Sequence, residues 1–283
     1  MRSKLAALLA AAIGLAAAQS AVAADLPVKA PVYKAPPMAA YSWTGFYFGI
    51  NGGGGWGSNS ADYVANDPLA ALLFNAVNTG APPSASFNTS GAIAGVQLGY
   101  NWQVGQNWLV GAEADFDWAN IKGSATTGGS IQAVVPFTNA VDERVDWFGT
   151  LRARLGYLPT PNLLAFVTGG LAYGQVKHTG TYTTTGLVAG NTGVFSFSCT
   201  AGNACFTGSS TDVTVGWTIG GGLEYAFWQR WTLRGEYLFV SLPAKSLTET
   251  ALTVAAGTSA SSFNANFNRT EFSVARAALS YRF

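Results

Sequence analysis

From Thr44 to Phe283, apolar residues alternate with small, polar or charged ones in long runs. A period of two marks a strand, whose side chains point alternately to opposite faces. Eight segments carry it: Thr44 to Trp56, Gly91 to Gln103, Trp108 to Lys122, Glu143 to Tyr157, Leu163 to Thr179, Thr211 to Phe227, Trp231 to Leu242 and Glu271 to Phe283. In the sixth, Val213, Val215, Trp217, Ile219, Leu223, Tyr225 and Phe227 share one face, and Thr214, Gly216, Thr218, Gly220, Gly222 and Glu224 the other. In the third, Val110, Ala112, Ala114, Phe116 and Trp118 oppose Gly111, Glu113, Asp115 and Asp117. In the fourth, Val145, Trp147, Leu151, Leu155 and Tyr157 oppose Arg144, Asp146, Thr150, Arg152 and Arg154. In the seventh, Trp231, Leu233, Tyr237 and Phe239 oppose Arg234 and Glu236. Each of these segments has an apolar face and a face that holds its charge.

The connections fall into two classes. Residues 104–107, 158–162 and 228–230 are short turns, whereas 57–90, 123–142, 180–210 and 243–270 are long and polar. Short turns on one side and long loops on the other are the habit of an outer-membrane barrel. Each segment exceeds the roughly 9–11 residues that a tilted strand needs to cross a bilayer. Aromatic residues gather at both segment ends: Trp102, Trp108, Tyr157, Tyr225, Phe227, Trp231 and Tyr281 near the short turns, and Trp56, Trp118, Trp147, Trp217 and Phe239 toward the others. Rings at two levels suit the two interfaces of a membrane, whereas a soluble sandwich or lipocalin has no use for such girdles. The expected fold is therefore all-β, an eight-stranded antiparallel up-and-down transmembrane barrel over residues 43–283. An even strand number puts both termini on the short-turn, periplasmic side.

Composition agrees. The 283 residues are 49% hydrophobic but only 10% charged, against about 25% in soluble domains. Beyond the first 24 residues no apolar run is long enough for a membrane helix, so the apolar content belongs to strands. A net charge of +1 gives no basis for a nucleic-acid partner. Residues 1–24 read as a secretory signal: Arg2 and Lys4, then the apolar stretch Leu5 to Ala18, then Ala21-Val22-Ala23 for cleavage after Ala23 or Ala24. Residues 25–42 are rich in Pro and Ala and suit an extended periplasmic lead-in. Export places Cys199 and Cys205 in an oxidising compartment, where a local disulfide stiffening an exposed loop is the natural reading.

The inward parity collects Glu113, Asp115, Asp117, Arg144, Arg152, Arg154, Glu224, Arg234, Glu236, Arg276 and Arg282. The side chains of an eight-stranded barrel just fill its interior, and buried charges must pair. A salt-bridged plug follows, with a narrow gated channel as the alternative. Catalysis has little to stand on. His178, with Thr179, Ser209 and Ser210 nearby, offers a Ser–His pair without a spacing motif, and reads as a solvated residue at a loop edge. Two thiols and one histidine make no metal site, and Gly52 to Gly55 precede no helix that could cradle phosphate. No cofactor is expected, and the chain is not expected to be an enzyme.

Several strands carry a family likeness. Trp43-Thr44-Gly45-Phe46-Tyr47-Phe48-Gly49, Gly95 to Gln103, Gly111 to Asp115, Thr150 to Tyr157, Gly169 to Gly174, Glu236-Tyr237-Leu238 and Tyr281-Arg282-Phe283 resemble strands of the small porin-like outer-membrane immunogenic protein family, within the OmpA-like barrels. The resemblance covers most of 43–283 outside the long connections. It implies a surface-exposed, often antigenic barrel of the outer membrane and no defined ligand. A last strand with Leu279, Tyr281 and Phe283 on the lipid face resembles the signal read by outer-membrane assembly machinery. The expected role is structural, contributing to envelope integrity, with outer-membrane lipids, lipopolysaccharide and that machinery as partners. A narrow porin and a loop-mediated surface binding protein are the alternatives.

Overall fold

The computed structural model describes residues 41–74, 84–131 and 134–283. The expected signal peptide, and all but the last two residues of the lead-in, lie outside the described residues. Strand β1 (Gly45–Ala65) is followed by helix α1 (Pro68–Phe74), which Asp67 caps by accepting from the N–H groups of Leu69 and Ala70. Then come β2 (Ser84–Val104), β3 (Trp108–Ile131), β4 (Val135–Thr160) and β5 (Leu163–Thr184). The short β6 (Val188–Asn191) and β7 (Phe195–Cys199) precede β8 (Ala204–Trp228). The chain ends with β9 (Trp231–Leu242), β10 (Lys245–Ala251), β11 (Ser259–Ala260), β12 (Ser262–Phe267) and β13 (Thr270–Arg282).

Antiparallel pairing passes from β1 through β2, β3, β4, β5, β8, β9 and β13 and back to β1, so eight strands close into a ring. This is the all-β barrel expected. At the end away from the short turns, β10 and β12 continue the wall between β8 and β1. Pro243, which has no N–H for a ladder, follows directly on the end of β9. Between Trp56 and Ala61 the register of β1 passes from β13 to β12. Asn59 fills that gap: its Oδ1 accepts from the Glu271 N–H at 3.1 Å and its Nδ2 donates to Glu143 at 2.6 Å.

The long connections are shorter than their polarity suggests. Much of 57–90, 123–142 and 180–210 continues the strands as a raised wall. The alternation is present there with its sign reversed. Between the two aromatic levels the outward residues are apolar and more than half exposed, as at Ile50, Leu98, Leu151, Val167, Leu171 and Ile219. In the raised wall many of the inward residues are apolar: Ala61, Ala85, Phe87, Val141, Leu247, Ala265 and Phe267 form one buried cluster. Ser86, Asn88, Thr138 and Thr248 face outward. A wall in water buries its apolar face inside, whereas a wall in lipid turns it out.

One inward assignment is corrected. Relative to β5, β4 carries an extra residue between Val145 and Trp147. Such a bulge moves every following side chain to the other face. Thr150, Arg152 and Arg154 point inward as the parity requires, but beyond Asp146 the inward residues are Val145, Glu143 and Val141. Arg144 therefore stands on the outer surface, with its side chain 53% exposed and paired to Asp146 at 2.5 Å.

Candidate functional site

The lumen is the place to look for a pore or a pocket, and it is filled by layers. At the short-turn end Trp43, Leu109, Leu158, Leu164, Phe166 and Ala226 form an apolar floor. Above it lie the charges. Further up, Ile93, Ile121, Val145, Phe148, Val176, Leu238, Phe272 and Val274 form a second apolar layer. The raised wall then holds the Phe87–Phe267 cluster and, at the far end, a cluster of Phe137, Tyr182, Phe206 and Phe263 with the cysteine pair.

With Arg144 outside, the inward set is Glu113, Asp115, Asp117, Glu224 and Glu236 against Arg152, Arg154, Arg234, Arg276 and Arg282. Each strand contributes at alternate positions, so β3, β4, β8, β9 and β13 bring these side chains to one level. Arg152 is the hub, at 2.5 Å from Glu113, 2.8 Å from Asp115 and 2.6 Å from Glu236. Arg276 reaches Asp115 at 2.9 Å, Asp117 at 2.8 Å and Glu236 at 2.8 Å. Arg234 joins Glu113 at 2.6 Å to Glu224 at 3.1 Å, and Arg154 also pairs with Glu224. Arg282 stands apart. It donates to the Ser42 carbonyl at 2.8 Å and lies 4.9 Å over the Trp43 ring, closing the floor.

Taking an ion out of water costs several kcal/mol, recovered only where partners and hydrogen bonds are complete. Thr150 donates to Asp115 at 2.8 Å, Thr232 to Glu224 at 2.7 Å, and Arg152 to Thr168 at 3.0 Å. Tyr47 donates to Glu113, and Arg154 packs 3.9 Å over the Phe166 ring. Tyr47, Thr168 and Thr232 are the members the sequence reading missed. Tyr47 had a signal: it is the one aromatic on the small-residue face of the Thr44–Trp56 segment, between Phe46 and Phe48, which face out. It fits because Gly99 lies opposite, where an added Cβ would stand 2.3 Å from the Tyr47 hydroxyl.

The histidine reading is also corrected. His178 is buried on the inner face of the raised wall, 3.4 Å from Glu143, with its ring 4.3 Å from Phe267. Its position inside a continuing strand, rather than at a loop edge, removes it from solvent. Ser210 is its cross-strand partner, yet the buried Ser210 hydroxyl makes no hydrogen bond to it. Thr179 and Ser209 face the other way. A nucleophile needs contact with its base, and this row does not make one.

Cys199 and Cys205 are bridged, with Cα atoms 4.9 Å apart. The turn between them is exposed, but the bridge itself is buried against Phe197 and Phe206. On the last strand Leu279, Tyr281 and Phe283 face outward. Tyr281 packs between Trp231 and Phe283, at 5.2 and 5.4 Å.

The chain is similar to known proteins of the outer membrane. The model of the outer membrane protein beta-barrel domain matches residues 5–283. The chain is 34% identical over 238 residues to the 31 kDa outer-membrane immunogenic protein of Brucella melitensis biotype 1, covering 82% of this chain and 85% of the relative. It is 28% identical over 212 residues to the 22 kDa outer membrane protein of Rhizobium leguminosarum bv. viciae, covering 75% and 70%. Among solved structures, OprG from Pseudomonas aeruginosa is similar with a TM-score of 0.44 and 9% identity, over 86% of this chain and 98% of that one. The chain belongs to the outer membrane protein beta-barrel domain family, and its place is the cell outer membrane.

Proposed function

We propose that this barrel is a closed structural element of the outer membrane, which contributes to envelope integrity and carries a raised wall beyond it. The observation behind this reading is the filled lumen. A water path along the axis would have to cross an apolar floor, a neutralised charge layer and three further apolar clusters. In the charge layer Arg152, Arg154, Arg234 and Arg276 are each bound to at least one carboxylate, so none of these four is left to attract a passing anion. Mechanically, the layer ties β3, β4, β8, β9 and β13 together through side chains as well as ladders. The outward Leu279, Tyr281 and Phe283 suit the assembly signal that the resemblance implies.

The test is solute uptake. Liposomes holding the refolded protein should swell in sugars and amino acids no faster than protein-free liposomes. Swelling that scales with protein content would support the narrow-porin reading instead. In the cell, loss of the protein should raise sensitivity to detergents, and re-expression should restore resistance.

A further inference from the structure

The bulge that turns Arg144 outward also gives it neighbours. In the ladders Lys122 of β3 stands opposite Arg144 of β4, and Arg144 stands opposite Lys177 of β5. All three face outward and are exposed. Like charges directly opposite across a ladder repel. Asp146 answers Arg144, but among the described residues Lys122 and Lys177 have no ion-pair partner. Asp142, one outward step higher on β4, faces Ser124 and Thr179. The row is thus a cationic shelf with an excess of positive charge.

What lies beneath the shelf names its occupant. On the same three strands, Trp118, Trp147 and Tyr173 form an aromatic tier, with Phe116 5.5 Å from Trp147 and Trp147 6.3 Å from Tyr173. Below that, Leu151 and Leu171 are more than half exposed. The cations sit three or four residues beyond the aromatics, roughly 7–10 Å further out at about 3.3 Å per residue and a tilt of about 40°. Read toward the raised wall, the strip is aliphatic, then aromatic, then cationic. This is the profile of an anionic amphiphile seen from the side: acyl chains, interface, phosphate.

The geometry points to Lys122, Arg144 and Lys177 as a binding site for the phosphate groups of an acylated, phosphorylated glycolipid in the outer leaflet, with Trp118 and Trp147 against its acyl–sugar boundary. Lysine and arginine bind phosphate by charge-assisted hydrogen bonds, and a bridging phosphate also relieves the repulsion along the row. The site stands whether or not the lumen conducts.

The test uses the refolded mature protein in detergent and follows its tryptophan fluorescence. Bis-phosphorylated lipid A, its dephosphorylated form and inorganic phosphate are titrated in turn. The phosphorylated lipid should bind about tenfold or more tighter than the dephosphorylated one. The triple variant K122Q/R144Q/K177Q should lose that preference, while R230Q/R269Q, which removes exposed cations elsewhere, should keep it. An undiminished preference in the triple variant, equal loss in both variants, or displacement of the lipid by equimolar inorganic phosphate would each overturn the assignment. If the triple variant does not refold, K122Q and K177Q singly carry the test. Each should weaken binding about threefold, and no loss in either contradicts the site.

Discussion

Arg152 shows how much a single residue can hold. Its guanidinium serves Glu113, Asp115 and Glu236 from a fully buried position. Removing one member of such a network leaves the others as unpaired buried charges, at about 3–5 kcal/mol. Arg152→Ala should therefore lower the urea midpoint of the refolded barrel sharply, and Arg152→Lys should recover part of it, since lysine lacks the fork that meets several carboxylates. Glu249 makes the opposite case. It is wholly buried in the raised wall, and burial pushes its carboxyl up from 4.5 to about 8. Among the described residues neither of its oxygens has a hydrogen-bond partner, and its charge raises the titration of the nearby Tyr63 further. A carboxyl raised in the folded state binds its proton more tightly folded than unfolded, so its contribution is full below about 4.5 and is lost as pH rises through about 8. Stability of the raised wall should fall over that window, and Glu249→Gln should flatten the fall. A slope unchanged by the substitution would count against a buried, unpaired carboxyl.

At the scale of elements, the one-residue bulge in β4 decides which face Arg144 and Glu143 occupy. In vesicles, Arg144→Cys should react with a water-soluble maleimide and Glu143→Cys should not. Because Asp146 is the extra residue, deleting it should leave both reactivities as they are, since Trp147 then follows Val145 directly in the register each already has with β5. The disulfide joins β7 to the start of β8. Closing so short a loop is worth roughly 2 kcal/mol, so reduction should speed hydrogen exchange at the far end and leave the membrane zone as it was. The membrane strands were legible in the sequence because lipid sets Leu, Val and Trp against Gly, Thr and charge, as in β8. The raised wall was not. There Ser, Thr, Asn and Gly fill the outer face, the contrast with Ala and Phe is low, and its sign is reversed, so a strand such as β12 read as loop. Parity placed ten of the interior charges on the inner face and failed at Arg144, because nothing in the local pattern announces an inserted residue. His178 was misjudged for the same reason as β12, since the strand that buries it was taken to end beside it.

Across the whole molecule the two halves follow one rule in different solvents. The membrane half faces lipid and buries its charge, and the raised half faces water and buries its apolar residues. Both fill the lumen, and the account rests on that. The direct measurement is single-channel recording of the refolded wild-type protein in a planar bilayer, with insertion confirmed by the heat-modifiable band of the recovered membrane. The filled lumen predicts a flat baseline with no discrete steps at physiological salt. Stable, uniform conductance steps from the inserted wild-type barrel would contradict it.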